Sequence, residues 1–253
     1  MKVGAIMTDA VNTFFNQFHI GTYYLQKNAR SEGHIRDMQA CGIDLVFGMD
    51  NDKNTLDLFQ EYGIAAVVTG VVPGWFGGRG ENAGTLRTSN PREAYDKGVD
   101  GFVDHPAIVG VDVGDEPSSL DFPYYGEIVH RLQKRLPDKF PYLNVYPSYG
   151  MLADSSKEQI KKELGQSCYK DYLKAYCECV DLPYLSFDHY VYSSDVERFI
   201  GDLSDAATFC KMYGKKLYVV LQVNSREEEV FISEDQLCFQ AFSALAFGVS
   251  AVS

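Results

Sequence analysis

Short β-rich apolar runs alternate with amphipathic helical stretches along the whole 253-residue chain, a pattern typical of repeated βα units on a parallel sheet. Eight runs have the composition of strands: 3–8, 43–49, 64–72, 107–114, 141–147, 184–190, 216–222 and 248–253. About 250 residues is the usual size of a (β/α)8 barrel, so the sequence predicts an α/β protein with this TIM-barrel architecture. No linker rich in proline, glycine or serine divides the chain, and we expect one domain over residues 1–253.

The C-terminal end departs from this pattern. The last predicted strand, Gly248-Val-Ser-Ala-Val-Ser253, is followed by no helix. In a (β/α)8 barrel each strand is followed by a helix that covers its outer face. We therefore expect a barrel truncated within strand eight, and a natural protein that continues with the rest of that strand and a closing helix.

The composition excludes several classes of function. The chain has 35 acidic and 23 basic residues and a formal charge of −12, which repels nucleic-acid phosphates and anionic membrane surfaces. We expect no nucleic-acid or membrane partner, and a neutral or weakly polar substrate. No apolar stretch approaches the roughly 20 residues of a spanning helix, and the first residues lack a signal-peptide core. These features predict a cytoplasmic protein, with a leader removed earlier as the alternative, and they leave the oligomeric state open.

The cysteines and histidines do not indicate a metal or cofactor site. The six cysteines show no Cys-x-x-Cys spacing and lie mostly among apolar neighbours, so we expect reduced thiols. The histidines show no His-x-His or His-Glu-x-x-His spacing. Asp50, Asp52, Asn54 and Glu61 match part of a calcium loop, but Thr55 stands where that loop requires glycine. The sequence predicts no metal and no cofactor.

The ends of the predicted strands are unusually acidic. In a (β/α)8 barrel the working residues lie at the C-terminal ends of the strands, which together form the mouth of the barrel. Carboxylates follow strands one, two, four and six: Asp9, Asp50, Asp52, Asp115, Glu116 and Asp188. Acidic residues also cap helix N-termini for structural reasons, so each of them has that alternative role.

Glu116 ends the most informative segment, His105-Pro-Ala-Ile-Val-Gly-Val-Asp-Val-Gly-Asp-Glu-Pro117. Counting by twos, Gly110, Asp112, Gly114 and Glu116 share one strand face, and the intervening valines share the other. This pattern predicts that Glu116 points toward the mouth. A carboxyl held there among other acids and apolar walls should have a raised pKa, as a general acid requires. The alternative is that Glu116 caps the following helix.

Three segments resemble clan A glycoside hydrolases, the retaining (β/α)8 enzymes related to β-galactosidases. Residues 105–117 are similar to their strand-four signature, and the Asp-Glu-Pro ending is closest to a branch of glycosidase-like barrels that has this variant. Leu185-Ser-Phe-Asp-His-Tyr190 and Leu217-Tyr-Val-Val-Leu-Gln222 also resemble that branch, so the similarity extends over most of the chain. The resemblance implies that Glu116 is the acid/base, and that Asp115 replaces an asparagine that contacts the sugar 2-hydroxyl.

The chain departs from that family at the end of strand seven. The family places its nucleophilic glutamate there, and this chain has Gln222, which cannot form a glycosyl ester. Asp188, at the end of strand six, is our first choice for the second carboxylate. The acidic run 227–229 is more typical of a solvated loop. Asp9 and Asp50, on the opposite wall, are expected to bind sugar hydroxyls.

The choice of Asp188 predicts the stereochemistry of the reaction. We expect the Glu116 and Asp188 carboxyl groups to lie about 6.5–9.5 Å apart or wider, the range of inverting glycosidases. Asp188 then activates a water molecule. The alternative is that Asp188 binds His189 or a neighbouring backbone amide and is structural.

Aromatic and amide side chains near the strand ends could contact a sugar, because sugar C–H faces stack on rings and hydroxyl groups need directional partners. Trp75, the only tryptophan, precedes Phe76 in a glycine-rich loop after strand three. Asn144 and Gln222 could hydrogen-bond a ligand. Further aromatic candidates follow strands five and six: Tyr146, Tyr149, His189, Tyr190 and Tyr192. Core packing is an equally good explanation for each ring taken alone.

These patterns favour a glycoside hydrolase that acts on a neutral oligo- or polysaccharide, with Glu116 as general acid. A carbohydrate-binding barrel without catalytic activity is the first alternative, because strand seven ends in Gln222. A metal-dependent sugar isomerase or lyase that uses the acidic rim is the second. The sugar, the linkage and the anomer stay open.

Overall fold

Eight parallel strands form a closed barrel in chain order in the computed structural model, which describes residues 8–151, 156–224 and 232–253. The strands are β1 His19–Tyr23, β2 Leu45–Met49, β3 Ala65–Val68, β4 Ile108–Asp115, β5 Phe140–Val145, β6 Tyr184–His189, β7 Lys216–Leu221 and β8 Ala251–Val252. The short β8 pairs with both β7 and β1. The predicted (β/α)8 TIM barrel is confirmed.

Helices surround the barrel and connect successive strands. They are α1 Asp9–Phe15, α2 Glu32–Ala40, α3 Lys53–Tyr62, α4 Leu86–Ser89, α5 Arg92–Asp100, α6 Phe122–Arg135, α7 Lys157–Leu164, α8 Tyr169–Cys179, α9 Val196–Tyr213 and α10 Glu234–Ala246. Gly63 and Gly214 end α3 and α9 in the left-handed conformation, which glycine adopts without a Cβ clash. None of the helices in the described ranges is long and apolar enough to cross a bilayer.

The first strand of the barrel is not where the sequence predicted it. The predicted run 3–8 lies largely outside the described residues, and its last residue, Thr8, precedes α1. The strand that pairs with both β2 and β8 is His19–Tyr23. The sequence of this strand is short, half polar and contains glycine, so apolar periodicity favoured the earlier run.

Helix α1 closes the N-terminal end of the barrel. The Phe15 ring lies 4.9 Å from Phe140 and 5.6 Å from Tyr184, measured between centroids, and these two residues begin β5 and β6. His19 stacks on Phe14, and its ring nitrogens bond to the Asp44 carboxylate and the Phe14 carbonyl. Burial alone would lower the pKa of His19, but these hydrogen bonds outweigh it and raise the pKa.

Candidate active site

A bulge in β4 decides which of its acidic side chains enter the barrel. Pairing between β4 and β5 shifts register between Asp112 and Gly114, and Asp115 then lies opposite Asn144. The sequence predicted strict alternation through 116, which is wrong at this point. Gly114 points outward, since an added Cβ would lie 2.4 Å from the Tyr125 hydroxyl. Asp115 therefore points inward, where the Asn144 side-chain nitrogen donates to its carboxylate at 3.0 Å.

Glu116 follows the bulge in a constrained backbone conformation. Its φ of +49° is left-handed, which is uncommon for a residue with a Cβ and clusters at functional sites. Its amide donates to the Asn144 carbonyl at 2.9 Å, and its own carbonyl accepts from Gly78 at 3.0 Å. The cap position of α6 belongs to Asp121, so the alternative, that Glu116 caps that helix, is wrong.

The Glu116 carboxyl lies near two tyrosines at the mouth. Burial raises the pKa of Tyr146 and Tyr149, and the Glu116 charge raises both further. The charge of Asp188 also raises the pKa of Tyr149. Both predicted aromatic candidates that follow β5 are therefore close enough to the predicted catalytic carboxylates to feel their charge.

Asn144 connects the two aspartates at the mouth. Its side-chain nitrogen donates to Asp115 at 3.0 Å and to Asp188 at 2.7 Å. The two accepting oxygens are thus no more than about 5.7 Å apart, the sum of those two distances. Ser186 donates to the Asn144 side-chain oxygen at 2.9 Å. The residues come from three adjacent strands, β4, β5 and β6, so the barrel itself brings them together.

Tyr23 is a site residue that the sequence analysis missed. Its ring lies 6.2 Å from Phe47 and 6.4 Å from Tyr142, measured between centroids. Burial raises its pKa, and the charges of Asp115, Asp112 and Asp188 raise it further. The residue ends β1. Correct placement of β1 would have indicated it, because the last residue of a barrel strand lies at the mouth.

The loop after β3 lies against the end of β4, as expected for a loop at the mouth. The Trp75 carbonyl accepts from the Asp115 amide at 2.7 Å, and the Asp115 carbonyl accepts from Gly77 at 3.0 Å. Phe76 is 59% exposed, whereas Trp75 is half-buried. The Arg79 guanidinium lies over the Tyr146 ring, 5.9 Å from its centroid. This loop therefore places an exposed phenylalanine next to the end of β4 and a cation over Tyr146, although Arg79 also pairs with Glu163 at 3.2 Å.

Two predicted ligand residues are engaged by the protein itself. His189 is buried outside the barrel wall, where its ring nitrogens bond to Asp202 at 2.8 Å and to Ser194 at 2.9 Å. Gln222 is also buried, and its side-chain nitrogen donates to Ser193 at 3.2 Å and to the Asn224 carbonyl at 3.0 Å. The His189 ring contacts Tyr149, 5.0 Å between centroids, but both of its nitrogens are bonded within the protein.

The remaining predicted acids have other surroundings than this cluster. Asp9 is exposed at the start of α1, which covers the opposite end of the barrel, so the expectation that it reaches the mouth is wrong. Asp50 is exposed after β2 and forms an ion pair with Arg30. Asp52 accepts from the Thr55 hydroxyl, which lowers its pKa, and precedes α3. The acidic run 227–229 lies outside the described residues.

Comparison with known proteins identifies the fold. The chain matches no protein-family model and no curated protein. A putative α-L-fucosidase from Bacteroides thetaiotaomicron superposes with a TM-score of 0.59 at 13% identity, over 94% of this chain and 87% of that one. A glycoside hydrolase family 5 mannosidase from Rhizomucor miehei gives 0.59 at 11% identity, over 94% and 81%. An intracellular xylanase from Thermoanaerobacterium saccharolyticum gives 0.54 at 11% identity, over 98% and 88%.

The fold and its mouth thus define a class, the (β/α)8 barrels to which these glycoside hydrolases belong. The sequence resemblance to such barrels is confirmed at the level of fold. At identities this low the similarity extends to architecture alone, so chemistry must be argued from this chain's own side chains.

Proposed function

We propose that the protein is a glycoside hydrolase acting on a neutral oligo- or polysaccharide at the mouth of the barrel. The observation that carries the proposal is the cluster of Asp115, Glu116 and Asp188, which is bordered by tyrosines and linked by Asn144. Glycoside hydrolysis requires two carboxyl groups with different tasks. The net charge of −12 favours a neutral substrate over an anionic one.

In the proposed reaction Glu116 is the general acid and Asp188 the general base. Glu116 gives its proton to the glycosidic oxygen as the bond from that oxygen to the anomeric carbon breaks. Asp188 takes a proton from a water molecule, whose oxygen forms the new bond to the anomeric carbon from the opposite face. The hydrogen bond from Asn144 to Asp188 favours the ionised carboxylate, which is the form that a base needs.

The role of Glu116 is tested with Glu116→Gln, which keeps the shape of the side chain and removes the acidic proton. We expect turnover to fall by roughly 10²–10⁴ while sugar binding persists, because proton donation contributes about that factor. Glycosides with very good leaving groups should lose least, since their leaving oxygen needs little protonation. Initial rates on aryl glycosides of graded leaving-group pKa give the measurement.

Glu127→Gln is the matched control for this experiment, because Glu127 pairs with Arg87 and Arg92 on the outer surface. Its turnover should stay at the wild-type level. Equal losses across all leaving groups in Glu116→Gln would show that Glu116 has a role other than proton donation.

The role of Asp188 is tested by the configuration of the first-formed product. If Asp188 activates water on the face opposite the leaving group, the anomeric carbon is inverted. Proton NMR of the fresh product should therefore show the opposite anomer to the substrate, and Asp188→Asn should abolish hydrolysis. Retention of configuration, or unchanged hydrolysis in Asp188→Asn, contradicts this assignment.

A carbohydrate-binding barrel without catalysis is the second candidate. It is favoured by Gln222, because this residue follows β7, where the family that the sequence resembles has its nucleophilic glutamate. The Gln222 amide donates to Ser193 and to the Asn224 carbonyl instead. A screen of chromogenic glycosides combined with calorimetry of sugar binding separates the two candidates. Binding without hydrolysis of any glycoside supports the carbohydrate-binding barrel.

Elemental analysis of the purified protein tests the metal-dependent isomerase or lyase.

A further inference from the structure

We infer that Asn144 is a positioning residue that binds Asp115 and Asp188 as a pair and holds both carboxyl groups in the ionised form. As a statement about hydrolysis this inference rests on the proposed function, whereas the ionisation of the pair does not. The inference replaces the expectation that Asn144 binds the sugar directly.

The hydrogen bonds of the Asn144 amide determine its orientation. An amide oxygen can only accept, so Ser186 must donate to it, and the amide nitrogen must face the two carboxylates. The nitrogen has two hydrogens, and the bonds to Asp115 and Asp188 use both. Asn144 is 2% exposed. No N–H of this side chain is left for a sugar hydroxyl, so it acts through the carboxylates.

A second buried hydroxyl supports this orientation. The Tyr142 hydroxyl lies 2.9 Å from Ser186 Oγ, and both residues are 1% exposed. Because the Ser186 proton goes to Asn144, Tyr142 must be the donor in this contact. Burial raises the pKa of Tyr142 well above its ordinary value, so it keeps the proton that it donates. The chain of hydrogen bonds runs from Tyr142 through Ser186 and Asn144 to the carboxylates.

Two carboxylates this close repel each other, which raises their pKa values and favours protonation of one of them. A hydrogen bond donated to an ionised carboxylate has the opposite effect and is stronger than a neutral one. Asn144 lies between Asp115 and Asp188 and donates to both, so it offsets their repulsion. An ionised Asp188 can accept a proton from water, and a protonated one cannot.

The test measures the two carboxyl pKa values directly, by NMR titration of protein labelled with ¹³C at the aspartate carboxyl carbons. Asp115→Asn and Asp188→Asn assign the two signals. Asn144→Leu removes both N–H donors at similar volume, and we expect the pKa of Asp188 to rise by about one to two units. Ser186→Ala frees the amide to rotate and should raise that pKa by less. Tyr176→Phe, which removes a buried hydroxyl bonded to the Tyr184 carbonyl, should leave both pKa values unchanged.

Unchanged pKa values of Asp115 and Asp188 in Asn144→Leu overturn the inference. If Asn144→Leu fails to fold, Ser186→Ala decides in the same way, since it keeps the amide and removes only its orienting donor. The titration needs no substrate. A protein that hydrolyses no glycoside but shows the predicted shifts refutes the proposed function alone, and an active protein without the shifts refutes this inference alone. In an active protein the acidic limb of the pH profile of kcat/KM should move to higher pH in Asn144→Leu.

Discussion

Asp112 is a carboxyl group enclosed within the barrel. It lies inside the barrel, 4% exposed, below the mouth carboxylates. Burial and, to a smaller extent, the charge of Asp115 raise its pKa to about 7, although the Gly114 amide donates to it at 3.0 Å and acts in the opposite direction. The same hydrogen bond connects Asp112 to the residue at the β4 bulge. A carboxyl that holds its proton in the folded state makes the stability of the protein depend on pH.

We expect that dependence to disappear in Asp112→Asn, which keeps an oxygen to accept from Gly114. The folded pKa of Asp112 lies above its ordinary value of 3.8, so between these values the folded state binds more protons than the unfolded state. The contribution of Asp112 to wild-type stability therefore falls by at most about 4 kcal/mol as pH rises from about 4 to about 7. In urea unfolding across this window, the free energy of unfolding of the variant should rise relative to that of the wild type as pH increases.

The exposed Asp181→Asn is the control, and its unfolding free energy should follow the wild type at every pH. A constant difference between Asp112→Asn and the wild type across the window would show that the Asp112 pKa is not raised in the folded protein.

At the scale of elements, α1 and β1 are the parts that the sequence did not predict. Apolar periodicity favoured residues 3–8 as the first strand, although the structure uses His19–Tyr23. Strand pairing on both sides compensates for the weak β character of this segment. The contacts that recruit it come from neighbours distant in the chain, and a local pattern cannot show them. Because β1 was predicted in the wrong place, Tyr23 was not recognised as a strand-end residue, and Asp9 was wrongly expected at the mouth.

Because α1 closes the N-terminal end of the barrel, we expect its buried residues to stabilise the folded protein. Phe15 is 4% exposed and its ring packs against Phe140, Tyr184 and Tyr218. Phe15→Ala should lower the free energy of unfolding by about 3–5 kcal/mol, since it leaves a cavity in an aromatic cluster. Phe18→Ala, at a ring that is 44% exposed, is the matched control and should cost far less. Equal midpoints of chemical denaturation for the two variants would show that α1 does not close the barrel.

At the scale of the whole molecule, the alternation of strands and helices predicted the barrel because each βα unit needs a neighbour to bury its apolar face. β6 was expected at 184–190 and is observed at Tyr184–His189, so the sequence predicted the position of this β-rich strand to within one residue. Successive side chains of a strand point to opposite faces, which places Asp188 inward and His189 outward, so the outward histidine was predictable. The inward Asp115 was not, because a bulge breaks the period of two on which such reasoning depends.

Polar side chains join the aromatic rings of the barrel interior toward the mouth. Rings of Phe15, Phe140 and Tyr184 fill the end that α1 closes, whereas Asp112, Ser186 and Asn144 occupy the half below the mouth. Such interiors are usually packed with branched aliphatic side chains, and a buried polar group costs free energy unless it is hydrogen-bonded. Here Ser186 and Asn144 bond into the chain that ends at the mouth carboxylates, and Asp112 bonds at the bulge that turns Asp115 inward. These polar side chains are therefore best explained by what they do for the mouth, because their hydrogen bonds orient Asn144 and through it Asp115 and Asp188.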